Sequence, residues 1–244
     1  MVTETKIEYT ALVEKEYKSV AAIIVCGGSS SRMNGVDKMF AEIGDMPLSA
    51  VTVSAFQNCD KVDNIIIVTK SDSVLPMQQM CEKYGFSKVS DIVEGGSCRQ
   101  RSVANGLDKV RADIVLVHDG ARPFVTNDCI LRVIDGAERY SACTCAVKLK
   151  DTVKQIKNDG LVVSTPDRAS LVAVQTPQGF DAELYKKCVS NSQFDLEKFT
   201  DDCSVVESCG HSVYIVDGDY ENFKVTTSED LLYASFLMRK GEGK

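Results

Sequence analysis

The sequence predicts an α/β protein with a mostly parallel twisted sheet and helices on both faces, from two observations. Short runs rich in Val and Ile recur at residues 20–26, 64–69, 88–93, 113–118 and 143–149. Between them, residues 47–58, 73–84, 97–110 and 127–140 have the length and patterning of helices of about ten to fifteen residues. Strands alternating with helices in this way build a parallel sheet covered on both sides. At 244 residues, 44% of them hydrophobic and 26% charged, the chain is long enough for one large core. The expected organisation is a lead-in at 1–18 and a single domain at 19–244.

The alternation breaks at 148–174. There, 151–156 and 161–164 flank Lys157-Asn158-Asp159-Gly160, which has Asn and Gly at a turn tip and predicts a protruding β-hairpin arm. A lone hairpin buries little, so a second copy of the chain is the simplest surface for it to pack on. Beyond the arm come a helix near 182–189, another at about 201–209, a strand at 213–216 and a closing helix with Ser228 as N-cap and Glu229 and Asp230 in its first turn. No strand is assigned between the arm and residue 182.

A net charge of −7 and a pI near 5.0 argue against a protein that grips a nucleic-acid backbone, so an anionic ligand must be held locally. The ten cysteines include no CxxC pair, and Cys26, Cys143 and Cys145 lie in apolar runs, which predicts reduced, buried thiols. The first 18 residues are too polar and mixed in charge for a signal peptide, and no run approaches about 18 apolar residues. The expectation is a cytoplasmic chain without membrane contact, its lead-in a loose tail or short surface helix.

Ligands of such sheets sit beyond the carboxyl ends of the strands, which selects the loops after Cys26, Val93 and His118. In the first, Gly27-Gly28-Ser29-Ser30-Ser31-Arg32-Met33, small residues let backbone amides approach an anion, while Arg32 and nearby Lys38 supply cations for a polyphosphate. It fits neither the Walker nor the dinucleotide fingerprint, and a plain turn with surface cations stays open. The second, Glu94-Gly95-Gly96-Ser97-Cys98-Arg99-Gln100-Arg101-Ser102, is alone equally a helix cap with Ser97 capping. Its expected position on the same sheet edge strengthens both.

The third loop, His118-Asp119-Gly120-Ala121-Arg122-Pro123-Phe124, carries most. Asp119 can bind a metal or a sugar hydroxyl, and Arg122 can take a phosphate bidentately; a salt-bridged turn is the alternative. His118 and His211 are the only histidines, which disfavours a Ser-His-Asp or two-His metal site, and His118 is read as structural. Asp151-Thr152, Arg168, Gln175-Thr176-Pro177-Gln178, Thr200-Asp201-Asp202 and Asn222-Phe223-Lys224 add hydroxyls and cations rather than an acid–base pair. Each alone is ordinary surface chemistry. Together they point to phosphoryl-type transfer, in which positioning and charge neutralisation do most of the catalysis.

Five ordered segments, VHDGARPFV (117–125), KDTVK (150–154), QTPQGF (175–180), TDDCSVVE (200–207) and NFKVTTSEDL (222–231), resemble the 2-C-methyl-D-erythritol 4-phosphate cytidylyltransferases of the non-mevalonate isoprenoid pathway. The resemblance runs from about residue 20 to 237. It implies a Rossmann-like nucleotidyltransferase fold and a homodimer with interlocking arms, so that Thr152 and Arg168 serve the partner's site. It also implies cytidylyl transfer from CTP to methylerythritol phosphate, with Mg²⁺ on the triphosphate and pyrophosphate released. Arg32 and Lys38 would then hold the triphosphate over the Gly27-Gly28 loop, with Lys224 at the α-phosphate. Ser102 and the Gly95-Gly96 backbone would read cytosine, and Asp119 and Gly120 would meet the ribose or substrate hydroxyls. Arg122, Thr176, Thr200, Arg168 and Thr152 would hold the substrate.

The family usually opens with PAAGxGxRM, where this chain has VCGGSSSRM (25–33), Ser30 standing for a glycine. PKQ becomes Asp37-Lys38-Met39, and Ser97 replaces the acid often found after the double glycine. The cations survive all three changes. A ribitol 5-phosphate cytidylyltransferase of teichoic acid synthesis shares these loops, but the LKDTVK arm favours the isoprenoid reading. A catalytically silent nucleotide-binding protein is disfavoured by the intact Arg32, Lys38, Asp119 and Lys224.

Overall fold

The computed structural model describes residues 18–27, 38–191, 193 and 195–241. The expected lead-in, apart from Lys18, falls outside them, as do Gly28, Arg32 and the Ser30 and Asp37 departures.

Strand β1 (Val20–Val25) is buried along its whole length. A small antiparallel pair, β2 (Glu42–Ile43) and β3 (Met46–Pro47), precedes α1 (Leu48–Gln57). Then follow β4 (Asn64–Thr69), α2 (Val74–Tyr84), β5 (Val89–Glu94), α3 (Arg99–Leu107), β6 (Ile114–Asp119), α4 (Asn127–Tyr140) and β7 (Ala142–Lys148). The arm strands β8 (Gln155–Ile156) and β9 (Val162–Ser164) lead to β10 (Val172–Asp181), α5 (Ala182–Val189), α6 (Asp202–Ser208), β11 (Tyr214–Asp217) and α7 (Ser228–Gly241). The sheet order is β11-β7-β10-β6-β1-β4-β5, parallel except for β10, which runs antiparallel to both neighbours.

Alternation along β1 builds a core on each face. Val20, Ala22 and Ile24 join Phe56 of α1, Met77 of α2 and Ile130 of α4. Ala21, Ile23 and Val25 join Val103 and Leu107 of α3, Tyr185 of α5 and Val206 of α6. Helix α3 lies so close to the sheet that a Cβ at Gly106 would stand 2.8 Å from Val68 Cγ2. This closeness, rather than helix propensity, explains a glycine inside a helix.

The expected alternation is present, with local corrections. Strand β6 continues through Asp119, beyond the expected end at 118. Cys98, not Ser97, caps α3: its sulfur accepts the Arg101 N–H at 3.4 Å, while the Ser97 hydroxyl donates to Glu197 at 3.1 Å. At α7 the cap is Thr227 rather than Ser228, for its Oγ1 accepts the Asp230 N–H at 3.2 Å and the Asp230 carboxylate accepts the N–H groups of Thr226 and Thr227. The largest difference is β10, central in the sheet where no strand was expected.

Pro177 hid β10, because proline cannot donate to a ladder and reads against a central strand. The register jumps there: Val174 pairs with Ala146 and Gln178 with Thr144, so the chain between them bulges out of the ladder. Proline is tolerated at such a bulge.

The arm is a separate antiparallel pair closed by the expected turn, with Gly160 at φ +86° and the Lys157 N–H bonded to the Leu161 carbonyl at 2.9 Å. Its paired strands are shorter than the expected 151–156 and 161–164. Ile156, Leu161, Val162 and Val163 are all more than half exposed. None of the ten cysteines, all of them among the described residues, forms a disulfide, and eight are buried. Among the described residues no helix is long and apolar enough to cross a membrane.

Candidate active site

Strands β1, β4, β5 and β6 end on one edge of the sheet, and a cleft of about 590 Å³ opens there. Gly27, Thr69, Gly95, Gly96, Arg99 and Ser102 line it. Gly95 and Gly96 turn tightly against α3. The Gly95 N–H bonds the Thr69 carbonyl at 2.7 Å, and the Gly96 N–H bonds Ser102 Oγ at 3.0 Å. A Cβ on Gly96 would lie 2.5 Å from that of Arg101. Only glycine lets this loop fold so closely on the helix that follows.

Asp119 is the last residue of β6, in register with Val25 at the end of β1. The next residue crosses directly over β1: the Gly120 N–H bonds the Val25 carbonyl at 2.8 Å, and a Cβ there would meet Cys26 Sγ at 2.5 Å. Three cations surround the Asp119 carboxylate. Lys224 Nζ lies 2.9 Å from Oδ2, Arg99 Nε 3.2 Å from Oδ1 and Arg122 Nε 3.6 Å from Oδ2. Burial works to raise its pKa, but Arg99, Lys224 and Arg122 outweigh it and hold the carboxyl well below the usual carboxylate range.

Two further contacts tie distant segments to this point. Arg99 reaches past Asp119 to the fully buried Asp202, NH1 to Oδ2 at 2.7 Å, and Asp202 also accepts the Tyr185 hydroxyl at 2.7 Å. Burial disfavours the Arg99 charge, yet Asp202 and Asp119 overcome it and raise its pKa above the ordinary arginine value. On the other side, Arg122 NH1 donates to the Asn222 carbonyl at 2.8 Å and the Val225 N–H to the Ala121 carbonyl at 2.8 Å, which docks the segment bearing Lys224. Lys38 Nζ donates to the Val225 carbonyl at 3.1 Å, so it enters the same cluster.

His118 and Thr176 lock the loop beneath. The Arg122 carbonyl can only accept, so His118 Nε2, 3.1 Å away, carries the ring hydrogen. Nδ1 then accepts the Thr176 hydroxyl hydrogen at 3.1 Å, and Thr176 Oγ1 accepts the Asp119 N–H at 3.0 Å. Burial pushes His118 down to about 4, against the pull of the Arg122 carbonyl and Asp119. The bulge of β10 frees the side chains on either side of Thr176-Pro177 to act as clamps. Gln175 grips both main-chain groups of Asp219 (2.8 and 3.2 Å), and Gln178 binds Asp201 Oδ2 and the N–H groups of Asp202 and Cys203 (2.9–3.1 Å).

The family model described as "IspD: 2-C-methyl-D-erythritol 4-phosphate cytidylyltransferase" matches residues 20–240. The chain belongs to the IspD family. A 2-C-methyl-D-erythritol 4-phosphate cytidylyltransferase of Clostridium novyi (strain NT) is 43% identical over 213 residues, covering 86% of this chain and 92% of that one. Another, of Clostridium acetobutylicum, is 44% identical over 222 residues, 90% of this chain and 97% of its own. Among solved structures, the 4-diphosphocytidyl-2C-methyl-D-erythritol synthase of Anaerococcus prevotii DSM 20548 superposes with a TM-score of 0.82 at 31% identity, covering 92% of this chain and all of that one. The 2-C-methyl-D-erythritol 4-phosphate cytidylyltransferase of Thermus thermophilus gives 0.74 at 28%, covering 89% and 98%. The family is one of nucleotidyltransferases, and the expected α/β nucleotidyltransferase fold is present.

Within the IspD fold, the structure brings together Lys38, Asp119, Gly120, Arg122 and Lys224, with Gly27, Gly95, Gly96 and Ser102 along the cleft. Gly28 and Arg32 lie outside the described residues. Thr176 is buried and its hydroxyl holds the Asp119 loop. Thr200 is exposed just ahead of α6. Thr152 and Arg168 are exposed on the arm, Arg168 bonded to the Lys150 carbonyl, and neither lines the cleft. Residue-by-residue reading did not single out Arg99, whose partner Asp202 is 103 positions away. Its only signal was an arginine at a helix start beside a double glycine.

His118 gives the site a pH signature. Unfolded, a histidine binds a proton below about pH 6.5, while His118 in the fold stays neutral to about 4, so the unfolded state binds more protons in that window. Its contribution is complete above about pH 6.5 and declines toward pH 4. In urea unfolding at about pH 7 and 4.5, the wild type is expected to lose about 2 kcal/mol more than His118→Gln; equal losses would contradict this.

Proposed function

We propose that this chain transfers the cytidylyl group of CTP to 2-C-methyl-D-erythritol 4-phosphate, giving 4-diphosphocytidyl-2-C-methyl-D-erythritol and pyrophosphate. The observation that carries this reading is the cluster of Arg99, Arg122 and Lys224 around Asp119 at the carboxyl edge of the sheet, with Lys38 held on the Val225 carbonyl next to Lys224. In a chain with net charge −7, cations gathered at one edge suit a triphosphate and a substrate phosphate.

In this reading a substrate phosphate oxygen attacks the α-phosphorus in line, and the bond to the leaving pyrophosphate breaks. Negative charge then accumulates on the α-phosphate oxygens and the leaving group, where fixed cations stabilise the transition state without reorganising. Lys224, held by Asp119 and left 40% exposed, serves the α-phosphate. Lys38, with Arg32, serves the leaving pyrophosphate. The Gly95-Gly96 loop and Ser102 take the cytosine, Asp119 and Gly120 the ribose or substrate hydroxyls. Arg122 and Thr200 face the substrate phosphate side, and Thr176 acts through its hold on Asp119.

Mg²⁺ belongs to the proposal and, when bound, would neutralise part of the triphosphate charge. Asp119 offers one carboxylate already surrounded by three cations, and the described residues hold no group of three or more His, Cys, Asp or Glu placed to share a metal ion. This donor set fits an ion carried mainly by the nucleotide. The proposal also includes a homodimer in the cytoplasm. The apolar, exposed arm calls for a covering surface, and ten cysteines without a disulfide suit a reducing compartment. In that dimer Thr152 and Arg168 of the partner subunit would complete the substrate pocket.

The direct test is pyrophosphate release from CTP and Mg²⁺ with 2-C-methyl-D-erythritol 4-phosphate and, in parallel, ribitol 5-phosphate. Release with the first alone is expected; release with ribitol phosphate alone would replace the substrate, and release with neither would overturn the reading. Lys224→Ala is expected to lower kcat by about a hundredfold or more with the fold retained, and a near-normal rate would remove Lys224 from its role. Inactive Arg168→Ala and Lys38→Ala chains, when mixed, should regain part of the activity if the arm serves its neighbour's site. No recovery would count against a shared site.

A further inference from the structure

We infer that Lys70 is a nucleotide-binding residue whose ammonium group donates to the carbonyl edge of the pyrimidine base, an inference that rests on the cytidylyltransferase reading. The loop after β4 opens on the same sheet edge as the loops after β1, β5 and β6, and its Lys70 and Ser71 line the cleft with Gly27, Gly95, Gly96 and Ser102. The chain stays extended through Lys70, at φ −70° and ψ 157°, so strand alternation sets the face of its side chain. Thr69 takes the face of Ile65 and Ile67, and Lys70 that of Ile66 and Val68, on which α3 packs. Lys70 therefore projects on the side where Ser102 and the Gly95-Gly96 loop close the cleft. It is half-buried, and its amine makes no hydrogen bond or ion pair among the described residues.

Charge and position decide what it takes. An ammonium group donates and cannot accept, so its partner in the cleft is an acceptor. Strand β1 separates β4 from β6, where Asp119 holds Lys224, a distance of about 10 Å at the usual strand spacing. Lys70 thus stands at the base end rather than at the α-phosphate. Ser102, beside it, has no hydrogen to offer a base: Oγ gives its own to the Cys98 carbonyl at 2.9 Å while accepting the Gly96 N–H at 3.0 Å. It can only accept, which suits the exocyclic amine of cytosine. The same edge of cytosine carries a ring nitrogen without hydrogen and a carbonyl oxygen, both acceptors, and Lys70 supplies the donor they need. Uracil has an N–H at that ring nitrogen and would turn a hydrogen toward the cation, so the lysine favours cytosine.

The test is calorimetric titration of the full chain with cytidine monophosphate, uridine monophosphate and, separately, Mg²⁺-pyrophosphate, in wild type, Lys70→Met and Lys70→Arg. Methionine keeps an unbranched apolar stem and deletes the charge, while arginine keeps a donor. The expected result is cytidine monophosphate bound roughly three- to tenfold more weakly by Lys70→Met, with a smaller preference over uridine monophosphate, pyrophosphate within about twofold, and recovery in Lys70→Arg. Unchanged cytidine monophosphate affinity in Lys70→Met, or equal weakening of pyrophosphate as from a cation that serves the phosphates, would overturn the inference while leaving the cytidylyltransferase reading intact. A wild-type protein that binds none of the three ligands would overturn both.

Discussion

A carboxylate buried at the end of a central strand under three cations is the constraint around which this protein is arranged. Asp119 holds Arg99 from the start of α3, Arg122 from its own loop and Lys224 from the segment before α7. Removing one member of a buried ion pair strands the other at a cost of several kcal/mol, so these segments stay together for electrostatic reasons as well as by packing. The same arrangement fixes Lys224, still partly exposed, beside Asp119 at the carboxyl edge of the sheet. The placing of these cations and local stability therefore share one set of contacts.

The sheet supplies the rigidity that the ion cluster needs. Parallel β1 and β6 end level, which places Asp119 beside and Gly120 over the end of β1. Antiparallel β10 runs beside β6 and, at its bulge, supplies Gln175, Thr176 and Gln178 as side-chain clamps on three separate segments, Gln178 while still paired in the ladder. Each clamp is hydrogen-bonded in the interior, where such bonds are strong because water does not compete. His118 belongs to this scaffold rather than to the chemistry.

Much of this was legible in the residues, and the exceptions have physical causes. Strands β1, β4, β6 and β7 announce themselves because a strand buried on both faces needs an unbroken apolar run, and the half-exposed edge strand β5 is marked by its Val and Ile alone, whereas β10 stays hidden because Pro177 interrupts it. The Ser97 and Ser228 caps were misplaced by one residue, since several neighbouring side chains can accept the same N–H and only the backbone decides. The glycine loops and the chemical character of Asp119, Arg122 and Lys224 could be read locally. The Arg99–Asp202 pair could not, because its meaning lies in a contact between residues 103 apart.

The central claim is that Asp119 remains ionised because Arg99, Arg122 and Lys224 hold it so. A carbon NMR titration of its side-chain carboxyl in the folded protein, from about pH 7 down to about pH 3, measures this directly. The account expects a flat signal across that range, with Lys224→Met bringing the onset of titration to higher pH. An Asp119 that titrates near the ordinary value of about 3.9 in the wild type would contradict it.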